Sequence, residues 1–402
     1  MLSEKRLSDE RKTQPQRETY NKYYLHVSGV YRAAKWGALL LFTLFLVLML
    51  VLQRDNITYE NFRYLLRDLN LSSSVDGAYA SLVFEEQQNM NFSVYKNGLA
   101  ASGSGGLRLY DSAGTCVLTD SVSFKKPEMV AGEKYILLYN AGGDEYSLFT
   151  ALTCVKRGKA GGAIQCADMS DSGRYLIVTR SDETKYEITL YSPAFTQIAR
   201  YYRDAYVTDA VLSPDGERAA VLALQYSKWS LQGCMTLYSA NSAETVTVDL
   251  GKSFPLSARY LSSGNIAVVC DDRIVYVNDA GAVLSEYRLS SMTLSSFSIS
   301  QNKVALVCRE NVLGTSGRVI VLDSAGNVLC NEERDDKITA VKASGGRAAA
   351  YIIYGSTVEI LSLDGTRMYA CRDIVLDVLE IGEQTIVCFS AGTETVPDKT
   401  PG

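Results

Sequence analysis

Apolar and polar positions along this chain repeat a short grammar: a strand-like run, a Gly-centred turn, then a second and more continuous apolar run. The clearest copies are MSDSGRYLIVT (169–179), LSPDGERAAVLA (212–223) and ASGGRAAAYII (343–353). Weaker copies are VAGEKYILLY (130–139), LSSGNIAVVC (261–270), ISQNKVALVC (299–308) and EIGEQTIVCF (380–389), and YKNGLAASG (95–103) is the most degenerate. The turns fall at Gly98, Gly132, Gly173, Gly216, Gly264, Asn302, Gly346 and Gly382, at intervals of 34, 41, 43, 48, 38, 44 and 36 residues. A period near 40 built of strands and turns predicts an all-β repeat fold, the β-propeller.

A second turn family is interleaved with the first. It runs through LRLYDSAGTCVL (107–118), ITLYSPAFTQIA (188–199), MTLYSANSAETV (235–246), IVYVNDAGAVLS (274–285), VIVLDSAGNVLC (319–330) and VEILSLDGTRMY (358–369), with YSLFTALTCV (146–155) filling the remaining slot. Asp and Ser bond their own backbone in such turns, Pro presets φ, and Gly accepts positive φ. Each unit therefore holds two hairpins, which is one four-stranded blade. Eight first hairpins meet only seven second hairpins, and the strand-like YASLVFEE (79–86) has no predecessor. A ring accounts for both deficits, because the leading strand can complete the last blade and leave no open edge. The expectation is eight blades over 78–391, with seven as the alternative, and a flexible tail over 392–402.

Upstream the pattern changes. Residues 36–52, WGALLLFTLFLVLMLVL, carry no charge. A helix of that length is about 25 Å long, at the short end for a bilayer crossing. Apolar residues on every face argue against a core helix, and QRDNITYE after the run offers no small-residue cleavage site. The reading is an uncleaved signal anchor. Before it, residues 1–35 hold eight Lys/Arg against four Asp/Glu. Only Arg54, Arg63 and Arg67 follow closely, so the positive-inside bias places 1–35 in the cytoplasm and the large domain outside. Residues 1–18 read as disordered by composition, and Tyr20, Tyr23, Tyr24, Val27, Val30, Tyr31 and Ala34 recur at helical spacing. Residues 53–77 read as a short helix, ITYENFRYLLRDLNL (57–71), and a Ser-rich linker at 72–74.

The repeats resemble degenerate PQQ-like and WD-type propellers, and the SPDG turn at 213–216 is similar to propeller repeats of bacterial envelope proteins. The full layout of basic N-terminus, single span, YENFRYLLRDLN helix (59–70) and propeller resembles a family of bacterial single-pass, membrane-anchored propeller proteins. The resemblance implies the architecture and a place at the bacterial cell membrane. It implies no activity, because that family has none assigned. The Trp and Gly-Asp features of better-kept PQQ-type blades are missing, and Trp229 is the propeller's only Trp. No cofactor is therefore expected.

Composition narrows the chemistry. The only histidine is His26, on the cytoplasmic side of the expected span. The large domain thus lacks the means for Ser-His-Asp or Cys-His catalysis, HExxH zinc sites and His acid–base chemistry. No phosphate-binding GxxxxGK[ST] loop occurs. Beyond residue 53 the chain carries 32 basic and 41 acidic residues, which argues against nucleic acid as a partner. Nine cysteines contain no CxxC pair, and Cys270, Cys308 and Cys388 hold comparable places in second strands, as small buried hydrophobes do. Carboxylates remain, densest at Glu332–Lys337, at Asp271 with Asp272 and at Asp144 with Glu145. These read as solvated loops, so no catalytic, metal or cofactor residue is assigned. The function class is a non-catalytic scaffold for a protein partner or an envelope sensor. The alternatives are a cell-wall glycan-binding module and a carboxylate-based glycan hydrolase or lyase.

Overall fold

The computed structural model describes residues 3–52, 79–227, 229–240, 242–310 and 315–397. It divides into two units, Met1–Leu66 and Arg67–Gly402. In the first, the described residues form one uninterrupted helix, α1 (Ser3–Leu52). Residues 3–18 are thus helical rather than disordered. Their Glu, Lys, Arg and Gln are good helix formers, and extending a helix costs far less than nucleating one. Among the described residues no helix is long and apolar enough to cross a membrane. The expected helix at 57–71 and the linker at 72–74 lie outside the described residues.

The second unit is a ring of eight antiparallel sheets. Blades 1 to 7 are four-stranded meanders over 91–120, 127–159, 164–203, 206–251, 255–288, 293–334 and 340–370. Blade 8 supplies three strands of its own, Asp377–Ile381, Gln384–Phe389 and Gly392–Thr395. Both turn families are where the pattern puts them, and the degenerate first copy is a true hairpin, with Asn91–Tyr95 paired to Gly98–Gly103. Eight blades is therefore the count.

The segment 79–84 lies against the last strand of blade 8. Val83 bridges Gly392, Thr393 N donates to Leu82 O at 2.9 Å, and Phe84 N donates to Ala391 O at 3.1 Å. Thr393 Oγ1 accepts from Leu82 N at 3.2 Å, and Thr395 Oγ1 donates to Tyr79 O at 2.8 Å. The start of the domain thus completes its end. This corrects the C-terminal boundary: residues 392–396 belong to the ring, with Thr393 and Val396 buried, and no loose tail begins at 392.

There is no single central core. Among the described residues eight apolar clusters each sit between two neighbouring blades. The one between blades 8 and 1 joins Tyr79, Leu82 and Phe84 to Leu99, Tyr110, Ile381 and Ile386. Second strands such as Ile266–Cys270 are buried at every position because a blade packs on each face. Fourth strands such as Cys154–Lys159 alternate between half-buried and exposed, as the rim of a ring requires. First strands of consecutive blades meet around the axis.

Candidate functional site

The carboxylate groups that stand out in the sequence are dispersed. Asp144 and Glu145 open the third strand of blade 2 and pair with Lys159 at 3.5 and 3.6 Å. Asp271 accepts from Phe254 N at 2.7 Å in a turn of blade 5, beside Asp272. Glu332 pairs with Arg334 at 2.6 Å on the outer strand of blade 6, and Asp335 and Asp336 follow in the connection to blade 7. The three groups sit on different blades. The nine cysteines are all free, with Cys270, Cys308 and Cys388 buried in second strands; burial pushes the Cys270 and Cys308 thiols up to about 12.

Two features that sequence reading did not single out are built by the fold. One is a cavity of about 420 Å³ at the mouth of the ring, on the face that carries the first turn of each blade. First strands supply its wall, with Met129, Val130, Val211 and Ala258 giving apolar surface, while the turns add Ser170, Asp171, Ser262 and Gln301. Asp168 of blade 3 and Arg259 of blade 5 are its charged members in the strands, on either side of blade 4.

Asp168 Oδ2 accepts from Leu212 N at 2.7 Å, which ties blade 3 to blade 4. Asp209 repeats the device one blade on, its Oδ2 accepting from Ser257 Oγ at 2.8 Å and Ala258 N at 3.1 Å. Burial pushes the Asp168 carboxyl up to about 6, against the pull of the Leu212 and Met169 amides and of Arg259. Burial also raises Asp209, Asp171 and Glu128, and Glu133 adds to the rise at Asp171. Arg259 is exposed and makes no ion pair or hydrogen bond within the described residues. Asp168 and Asp171 lie on one blade, so the cavity does not hold them on opposite walls as a glycosidase holds its two carboxyls.

The other feature is on the opposite face. Blade 4 has the three longest strands of the ring, Arg218–Ser227, Ser230–Ser239 and Ser242–Gly251, each of 10 residues. Its inner strand stops pairing at Tyr206↔Leu224 and its outer strand at Gly233↔Gly251. The pairs Gln225↔Gln232, Tyr226↔Leu231 and Ser227↔Ser230 therefore project as a two-stranded ribbon with neither edge paired to another strand among the described residues. Alternation puts Tyr226 and Leu231 on one face and the glutamines and serines on the other. On blades with shorter strands, the apolar face would be buried by a neighbour; here Tyr226 is 70% and Trp229, at the tip, 91% exposed. Trp229 has φ of +66°, the left-handed region that a two-residue hairpin turn demands and that side chains other than Gly seldom adopt. On the same face the turns between second and third strands of blades 3, 5 and 6 expose Asp182, Glu183, Asp271, Asp272 and Glu310.

The ring resembles solved propeller structures in fold. Sqt1 from Chaetomium thermophilum aligns over 80% of this chain and 99% of its own, with a TM-score of 0.55 at 11% identity. AztD from Citrobacter koseri aligns over 71% of this chain and 87% of its own, at a TM-score of 0.51 and 11% identity. A eukaryotic initiation factor aligns over 78% of this chain and 82% of its own, at a TM-score of 0.51 and 12% identity. At such identities the likeness concerns the fold alone. No curated protein matches the chain. The match that reaches from the segment closing the ring to its last buried residue is to a family: over residues 78–397 the chain belongs to the family of unknown function DUF5711.

Proposed function

We propose that this chain is a membrane-tethered, extracytoplasmic propeller that binds a protein partner and performs no chemistry of its own. The observation that carries the binding part is the blade 4 ribbon. It presents an aromatic tip, an apolar face and two free β edges, which together serve both side-chain anchoring and main-chain pairing with another protein. The acidic turns between second and third strands on the same face favour a partner whose contact surface is basic, since such complementarity speeds encounter and rejects wrong partners. A glycan is the second reading, because exposed Trp229 and Tyr226 rings could stack on sugars. Leu231 and the bare edges offer contacts that a sugar does not use, which favours protein.

The tether rests on the uncharged run 36–52 and on the basic bias before it. A bacterial envelope location follows from the resemblance in layout together with this orientation. The test pairs two measurements on the native membrane: protease added outside intact protoplasts, and affinity purification of the full chain beside a Trp229→Ser/Tyr226→Ser/Leu231→Ser variant. The expected results are digestion of the propeller and a co-purifying protein lost with the variant. Protection from protease would overturn the topology, and an unchanged co-purification profile would overturn the ribbon as the binding element.

A further inference from the structure

The cavity at the first-turn mouth differs from a solvated hole in its charge arrangement. Its two sides carry opposite charges that act on each other through space but form no close ion pair among the described residues. On the blade 5 side the Arg259 guanidinium is exposed and has no ion-pair or hydrogen-bond partner within the described residues. On the blade 3 side Asp168 spends one carboxylate oxygen on Leu212 N, and Asp171 stands at the rim. Between them lies the blade 4 wall, where Val211 is apolar. No ion pair of 4 Å or less joins Asp168 to Arg259 in the described residues, although each acts on the other through space.

Holding a carboxyl in such surroundings costs stability, and groups kept at that cost cluster where ligands bind. At about 420 Å³ the cavity lies at the small end of ligand sites, which run from roughly 300 to 1,000 Å³. That volume equals about fourteen waters at roughly 30 Å³ each, room for an amino acid or a dipeptide. Among the described residues no three His, Cys, Asp or Glu side chains are grouped to hold a metal ion. An organic ammonium is a positive group that two carboxylates can hold without a further ligating side chain.

We propose that this cavity binds a small zwitterion of the amino-acid or dipeptide class, its carboxylate on Arg259 and its ammonium on Asp168 and Asp171. Guanidinium and carboxylate match in planar, paired geometry. An ammonium presents three donors to the two acidic side chains. The apolar wall at Met129, Val130 and Val211 receives a short aliphatic side chain. The two charges are read together: a ligand with only one would forgo the charge-assisted bonds offered on the other side of the cavity. The site is on the face opposite the blade 4 ribbon, so it goes beyond the partner-binding reading and stands or falls apart from it.

The test uses the purified full chain. Thermal melting and isothermal titration are run with each of the common L-amino acids and with L-alanyl-L-alanine. Singly charged relatives of any binder follow, an N-acetyl form without the ammonium and a C-terminal amide without the carboxylate. At about 10 mM probe, mass action makes even a Kd of about 1 mM visible as a rise in Tm. The expected result is that at least one zwitterion binds, that each singly charged relative binds at least about tenfold more weakly, and that Arg259→Gln and Asp168→Asn each weaken binding by a similar factor. Trp229→Ser should bind as the parent does. The Arg259 guanidinium is exposed and makes no ion pair or hydrogen bond among the described residues, so its variant removes no packed side chain from the ring. Absence of binding by every zwitterion would overturn the proposal. So would equal binding of the N-acetyl or amide relative, or undiminished binding by the Arg259→Gln protein.

Discussion

Replacing Asp168 with asparagine should make this protein more stable near neutral pH, and the size of the gain can be worked from the site. The Asp168 carboxyl is raised from an ordinary value of 3.8 to about 6, first by burial. A difference of about two pH units in proton affinity between folded and unfolded chains corresponds to about 3 kcal/mol. The sign follows from which state holds the proton more tightly. The folded state does, so its advantage is complete below about pH 3.8 and is withdrawn as pH rises through about 6. Asparagine keeps an oxygen that can accept from Leu212 N, the bond of 2.7 Å that links blades 3 and 4, and never ionises. Asp168→Asn should therefore match the parent near pH 4 and exceed it by up to about 3 kcal/mol at pH 7.5. Urea unfolding of both proteins at several pH values, followed by tyrosine fluorescence, measures the difference. A variant that is less stable at pH 7.5, or whose advantage does not shrink as pH falls, would refute the reasoning, because burial would then not be what holds the proton on.

Two other perturbations test the architecture. Gly106 has φ of +124°, and a Cβ there would stand 2.0 Å from Asp120 O on the neighbouring strand, so Gly106→Ala should cost at least about 3 kcal/mol; a loss under about 1 kcal/mol in urea unfolding would contradict the packing of blade 1. Arg334 reaches Glu359, which is 3% exposed, through Nη2 at 2.7 Å and Nε at 3.0 Å across the blade 6–blade 7 boundary, so Arg334→Ala leaves a buried carboxylate without its cation, held by the Tyr354 hydroxyl, and should cost about 3 kcal/mol, whereas a change within about 0.5 kcal/mol would show the pair to be solvated.

The ring was legible in the sequence because its parts are local. A Gly or Asn turn with an apolar run behind it needs no knowledge of distant residues, so eight first hairpins could be counted, the degenerate Lys96–Asn97 turn included. Closure was legible for a related reason, since a deficit at one end matched a surplus at the other. The boundary at 392 was missed because GTETV has little apolar content; it is placed in the sheet by its pairing with Gln384–Phe389 on one side and by Leu82 and Val83, from the other end of the domain, on the other. The cavity was not legible at all. Asp168 and Arg259 lie 91 residues apart in sequence, and only ring geometry brings first strands of blades 3 and 5 to one mouth. The blade 4 ribbon did leave a trace. The interval from Gly216 to Gly264 is 48 residues, the longest of the series, and it contains the alternating QYSKWSLQ that makes the projecting ribbon amphipathic. Helix formation over 3–18 was misjudged because composition weighs charge, whereas a helix already formed downstream supplies the nucleus those residues lack.

The central claim is that the blade 4 ribbon is the surface by which this propeller holds a protein partner. The most direct measurement places a photo-crosslinking residue, in separate versions of the full chain, at Trp229, at Tyr226 and at Leu363, an exposed apolar position on a turn of blade 7 at the opposite face. Irradiation in the native membrane should give one discrete protein adduct at positions 229 and 226 and none at 363, and Leu231→Ser should diminish it. Adducts of equal yield at all three positions, or none at 229 and 226, would contradict the account.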